Sequence, residues 1–229
     1  MRLLKLFLWL GLWMITTFNL SLASELYVLS EKELPLPFKN INQEKLCEYP
    51  QIIIYGINAY LKAKDKACPN QLRIITGILY LSRVYHPSNV HISPLPHPKT
   101  LRPLGEEFTV IYSNQLEFYV EELKRHYQIT PYKLKTPYDL EKILPVILKE
   151  KRKILLLPDD QLLDERAFYI LKYWLKRHNS AIVIDFIGLD LEFPGKITIS
   201  QSRKKYLEEV FRYVKTGGLE RGKIYYVVY

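Results

Sequence analysis

Two adjacent aspartates, Asp159 and Asp160, directly follow an unbroken apolar run at 154–157. A carboxylate at the end of a buried strand suits a ligand ammonium group, and the same residue type also closes turns and caps helices. Paired acid–base chemistry is not expected of them, because neighbouring side chains in an extended turn point apart. Asp185 ends a second apolar run, where exposure to a cleft and a structural hydrogen bond are both open readings. Gly56 and Asn58 sit where a strand turns into a helix, as do Ser113 and Asn114. Backbone N–H groups at such a helix start attract a carboxylate, and first-turn capping is the alternative for the same residues. These seven positions form the candidate ligand-binding set.

Other reactive side chains point elsewhere. His86, His91 and His97 are spaced by five and six residues, which fits neither a helical nor a knuckle metal site. No Ser–His–Asp elbow, HExxH, phosphate-binding P-loop or paired CxxC occurs in the chain. The expectation is therefore a non-enzyme with no catalytic residues, no metal and no cofactor. The two cysteines, Cys47 and Cys68, flank a strand and the helix that it feeds, so both belong at the amino-terminal edge of one strand layer. An even pair in an oxidising compartment reads as a disulfide, with two buried thiols or a metal pair as the rival readings.

The elements that must hold these residues alternate between strand-length apolar runs and helix-period segments, the α/β pattern. Strands are expected at 25–29, 52–55, 72–75, 108–112, 132–134, 154–157, 181–186, 197–199 and 224–228. Helices are expected near 58–66, 116–127, 167–178 and 203–216, and one capped by Thr136 with a kink at Pro145. The stretch 80–103 carries Pro87, Pro94, Pro96, Pro98 and Pro103 and reads as a connection between two halves, with strand content only around 90–92. Helix-length connections between buried strands imply parallel pairing, and ligands then bind at the carboxyl ends of the strands. In this sequence that edge comprises Gly56–Asn58, Ser113–Asn114, residues 158–160 and Asp185–Phe186. The 18 tyrosines lie mostly at helical core or rim spacing and read as packing.

Taken as an ordered series over residues 50–225, the motifs resemble the substrate-binding proteins of ABC transporters. Tyr55-Gly56-Ile57-Asn58-Ala59 is similar to a Gly-Thr-x-Ala turn without its Thr. Asn89-Val90 stands where the family has Asn-Val-Thr-Gly. Leu156-Leu157-Pro158-Asp159 is similar to its Leu-Pro-Asp turn, and Gly195 followed by a strand and the helix at 203–216 keeps the family order. The resemblance implies an α/β fold of two Rossmann-like lobes with parallel sheets, periplasmic binding protein-like (type I). Only residues 24–46 are present for the family's opening strand–helix–strand–helix unit, so the first lobe is expected to be truncated. It further implies an amino-acid-like ligand between the lobes and, as partner, an inner-membrane ABC permease or another envelope protein. The alternative is a degenerate binding-protein fold used for protein–protein contact at the cell envelope.

Residues 1–23 read as a signal peptide: Arg2 and Lys5, an uncharged apolar run at 6–18, then small residues at Ala23 and Ser24. An uncleaved anchor is the other reading of this segment. The expected address is periplasmic or secreted. Residues 24–103 would form the reduced first lobe with its linker, 104–190 the second lobe, and 191–229 a strand–helix–strand returning toward the first. The formal charge of +9 falls to +7 without Arg2 and Lys5. Lysines and arginines are spread over helix faces among glutamates, apart from the short run at 149–153, so no nucleic-acid partner is expected.

Overall fold

The computed structural model describes residues 26–35, 37–150, 153–178, 181–186, 192, 194–199 and 202–228. The expected signal segment 1–23 lies outside the described residues. No described helix is long and apolar enough to cross a membrane.

The chain forms two all-parallel sheets. The first contains β1 (Leu26–Ser30), β2 (Phe38–Asn40), β3 (Gln51–Tyr55), β4 (Leu72–Thr76), β5 (Val90–Pro96) and β11 (Ile224–Val227), in the order β11-β5-β4-β3-β1-β2. The second contains β6 (Glu107–Ser113), β7 (Gln128–Leu134), β8 (Lys153–Leu156), β9 (Val183–Asp185) and β10 (Lys196–Thr198), in the order β10-β9-β8-β6-β7. Leaving β11 aside, each sheet repeats the doubly wound order 2-1-3-4-5, whose switch point lies between its first and third strands. Two α/β lobes of this kind form the two-lobed fold of periplasmic binding proteins.

Strands buried on both faces explain the unbroken apolar runs. In β8, Ile154 and Leu156 face one core, and Leu155 faces the other. The first of these cores is closed by α3 (Asp139–Ile147) and α4 (Glu165–Arg177), and the second by α2 (Glu117–Lys124). In the first lobe, Ile53 and Ile74 pack under α5 (Arg203–Thr216), while Ile52, Ile54 and Ile75 pack under α1 (Ile57–Ala63).

The first lobe is reduced in helices rather than in strands. Among the described residues no helix joins the parallel strands β1 and β2, and short 3₁₀ turns at Gln43–Glu48 and Leu81–Arg83 fill in beside the seven-residue α1. The proline-rich stretch is also more ordered than its composition implies, because 90–96 is a strand of the first sheet. Pairing with β4 ends at Ile92, so Pro94 and Pro96 fall on an overhang that only β11 accompanies, where a register shift absorbs them. Pro131 is likewise accommodated on β7, the edge strand of the second sheet. The last segment divides between the lobes: β10 pairs with β9 in the second sheet, and α5 and β11 return to the first.

Cys47 and Cys68 are joined by a disulfide, with Cα atoms 5.2 Å apart. It links the turn before β3 to the loop before β4 at the amino-terminal edge of the first sheet.

Candidate functional site

The carboxyl ends of both sheets face a cleft between the lobes, and its geometry begins with Tyr206. From the first turn of α5 this tyrosine reaches the ends of β4 and β5: its hydroxyl accepts from Gly77 N (2.9 Å), bonds Thr76 Oγ1 and donates to Ile92 O (3.2 Å). The helix start is closed by Ser202, whose hydroxyl accepts from Lys205 N. These two anchors fix Arg203, the first residue of α5, at the cleft mouth, where its guanidinium lies 5.8 Å from the centre of the Tyr55 ring. Among the described residues no carboxylate pairs with it. Gly77 lets the Tyr55 ring lie flat against the end of β4: a Cβ there would meet the ring at 2.8 Å, and its φ of +69° is unfavourable for any other residue.

Two chambers adjoin at Tyr55 and Arg203. The inner one, about 480 Å³, is bordered by Leu79, Pro94 and Tyr206 from the first lobe and by Pro158, Phe186 and Ile199 from the second. It is mostly apolar, and among the described residues Arg203 is the one ionic side chain on its wall. The outer chamber, about 400 Å³, lies at the switch point of the first sheet between the ends of β1 and β3 and includes Glu31, Gly56 and Asn58. Asn58 Nδ2 donates to Glu31 Oε2 at 2.8 Å, and Lys62 Nζ approaches Oε1 at 3.3 Å. The amide of Asn58 and then the ammonium of Lys62 hold the Glu31 carboxyl below its ordinary pKa, so it is ionised at neutral pH.

The candidate residues divide between this cleft and the frame behind it. Gly56 and Asn58 border the outer chamber; Gly56 has φ +88° and donates its N–H to Thr76 O. Asp159 is fully buried and accepts Ser113 N on Oδ2 (2.8 Å) and Gln161 N on Oδ1 (2.9 Å), tying the end of β8 to the end of β6 across the switch point of the second sheet. Ser113 caps the following 3₁₀ turn by accepting Gln115 N, and Asn114 is exposed as the first residue of that turn. Asp160 points away from Asp159: it accepts the Tyr80 hydroxyl at 2.6 Å and lies 3.7 Å from Arg83. The two carboxylates thus serve different partners. Asp185 is fully buried, with Lys196 Nζ 3.6 Å away.

The histidines are engaged locally, His91 Nε2 with the backbone of His86 at 3.3 Å. His86 Nδ1 accepts from Ser88 N, His97 Nδ1 accepts from Lys99 N, and His91 is buried in β5 against the Tyr85 ring. Among the described residues no three donors converge on a metal position.

The sequence reading missed Glu31, Tyr55, Arg203 and Tyr206. The carboxyl-edge rule already passes through Tyr55, one residue before Gly56, whereas nothing local singles out Arg203 from the two lysines that follow it.

No family model matches the chain, and no curated protein matches it. Three solved structures are similar in outline. One is an ABC domain in complex with L-Trp from Streptococcus pneumonia (9% identity, TM-score 0.42, covering 83% of this chain and 76% of that one). Another is a conserved domain protein from Vibrio cholerae (12% identity, TM-score 0.47, 86% and 78%). A third is the ligand-free, open form of CD0873, a substrate binding protein with adhesive properties from Clostridium difficile (12% identity, TM-score 0.41, 68% and 63%). At such values the likeness carries no residue-level argument.

Proposed function

We propose that this chain is an exported solute-binding protein of the ABC-transporter substrate-binding type, holding a small amino-acid-like ligand between its lobes. The observation that carries the reading is Arg203: a cation without a carboxylate partner among the described residues, fixed between an apolar chamber and a polar one at the carboxyl edges of two parallel sheets. Arg203, assisted by the N–H groups of Ile57 and Asn58, takes the ligand carboxylate. Glu31, exposed at the outer chamber, takes the ammonium group beside its bonds from Asn58 and Lys62, the role that the fully buried Asp159 does not fill. The side chain then lies against Phe186, Ile199 and Leu79. The apolar amino-terminal segment directs the chain to the periplasm or the medium, and an envelope permease receives the loaded protein.

Thermal melting of residues 24–229 against a panel of amino acids tests this. A ligand at a hundredfold excess over its Kd stabilises the native state by about 2.7 kcal/mol. The expected result is a rise in Tm with one group of amino acids that disappears in Arg203→Ala and weakens in Glu31→Gln. A flat response of the folded wild type across the panel overturns the receptor reading in favour of an envelope interaction module.

A further inference from the structure

A second cavity lies at the opposite edge of the first sheet. It measures about 250 Å³, has Ile54 and Ile75 as its apolar floor, and is bordered by segments that precede β4, β5 and β11. These are amino-terminal strand ends, remote in topology from the cleft. Lys64, Lys66, Arg73, His86 and Arg221 border it, and among the described residues no aspartate or glutamate does.

Among the described residues, the hydrogen bonds of these cations go to neutral acceptors. Arg73 donates from Nε to Gln71 Oε1 (3.0 Å), from NH1 to Ala63 O (3.1 Å), and from NH2 to Lys66 O and Cys68 Sγ. Lys66 Nζ donates to Gln43 O (2.5 Å), and Arg221 NH2 donates to Asn70 O and Gln71 O. Carbonyl oxygens orient these groups without cancelling their charge. Partial burial of Arg73 adds a desolvation cost to its charged form, which lowers its pKa. The disulfide at Cys68 holds the loop that supplies Lys64, Lys66 and Gln71 to the wall. Several like charges fixed around a recess, with no compensating carboxylate on the wall, attract a compact multivalent anion. Arginine and lysine together match the oxygens of a tetrahedral oxyanion.

We propose that this pocket is an anion site for a phosphate-type group, separate from the ligand cleft. Its size admits a phosphate or a phosphate monoester head, so the group arrives either as a free solute or as the head of an anionic lipid at the membrane surface.

The test uses the full mature chain. Titration calorimetry with inorganic phosphate is run against chloride of matched ionic strength. In parallel, co-sedimentation compares phosphatidylglycerol vesicles with phosphatidylcholine vesicles. Lys64→Gln combined with Arg221→Gln removes two exposed cations with little risk to folding; Arg73→Gln is the second variant, checked first by circular dichroism. The expected result is saturable phosphate binding, weakened at least tenfold by the double variant, while any cleft-ligand rise in Tm is unchanged. Binding to phosphatidylglycerol vesicles alone assigns the lipid source. Absence of both signals in the wild type, or equal binding by the folded double variant, overturns the proposal.

Discussion

The Asp159 carboxylate, fully buried and accepting one backbone N–H on each oxygen, is a joint between β6 and β8. Such charge-assisted bonds are worth about 1.5–3 kcal/mol each, and a buried donor left unpaired costs a similar amount. Asp159→Asn keeps the shape but turns an NH₂ group toward one of the two donors. The expected loss is about 3 kcal/mol, read as a lower urea midpoint with an unchanged slope. If Asp159 instead touched ligand, the substitution would abolish ligand-induced stabilisation and leave the apo midpoint in place. At this scale the sequence was informative about place and ambiguous about role. The run at 154–157 located an aspartate at a strand end, but an aspartate that caps and one that binds have the same local sequence. What separates them is the position of Ser113 N, 46 residues away. Arg203 was hidden for a related reason, because nothing in three consecutive basic residues at 203–205 tells which of them faces the cleft until Tyr206 is placed.

Among the elements, the long apolar strands and amphipathic helices were legible because both faces of each sheet are buried. The short or proline-bearing ones were not. β2 spans only Phe38–Asn40, just after Pro35 and Pro37, and joins the sheet through a single neighbour, β1. The prolines in β5 suppress any strand signal even though they sit where few ladder bonds are lost. The cysteine spacing, by contrast, placed the disulfide before β3 and β4 directly. That bridge spans 21 residues around α1, a helix too short to be stable alone. In the chain-entropy model it contributes about 3 kcal/mol. Replacing both cysteines with serine is expected to lower stability by that amount in chemical denaturation. A smaller effect would mean that α1 and its loop are held by packing of Ala59 and Ala63 alone.

For the molecule as a whole, the lobes share more than a cleft. Tyr80, Leu95 and Tyr226 from the first lobe, with Leu101 from the crossing, enter the same core as Phe108, Val110 and Leu155 of the second. Tyr119 and Tyr127 of the second lobe donate to Pro96 O and Pro98 O on the outgoing crossing. Beside this junction the Tyr80 hydroxyl donates to Asp160, with Arg83 over the Tyr80 ring. Burial first and the bond to Asp160 second raise the Tyr80 pKa, so the phenol remains a donor at neutral pH. Tyr80→Phe is expected to cost about 1 kcal/mol, since Asp160 regains water. Amide exchange should quicken at 158–163 and stay unchanged in β3 and β4. Uniformly faster exchange would mean that Tyr80 supports the core rather than latching the lobes.

The order of the chain through these lobes also constrains how they are made. The second lobe is one continuous stretch, whereas the first is assembled from residues before 97 and after 202, with α5 covering the Ile53–Ile74 face and β11 flanking β5. During synthesis, strands β1 to β5 therefore emerge early with one apolar face bare and wait through about a hundred residues, some 5–20 seconds at ribosomal rates, before their cover arrives. A holding factor bound to that face, or translocation before folding, would keep the waiting sheet from pairing with the wrong partner.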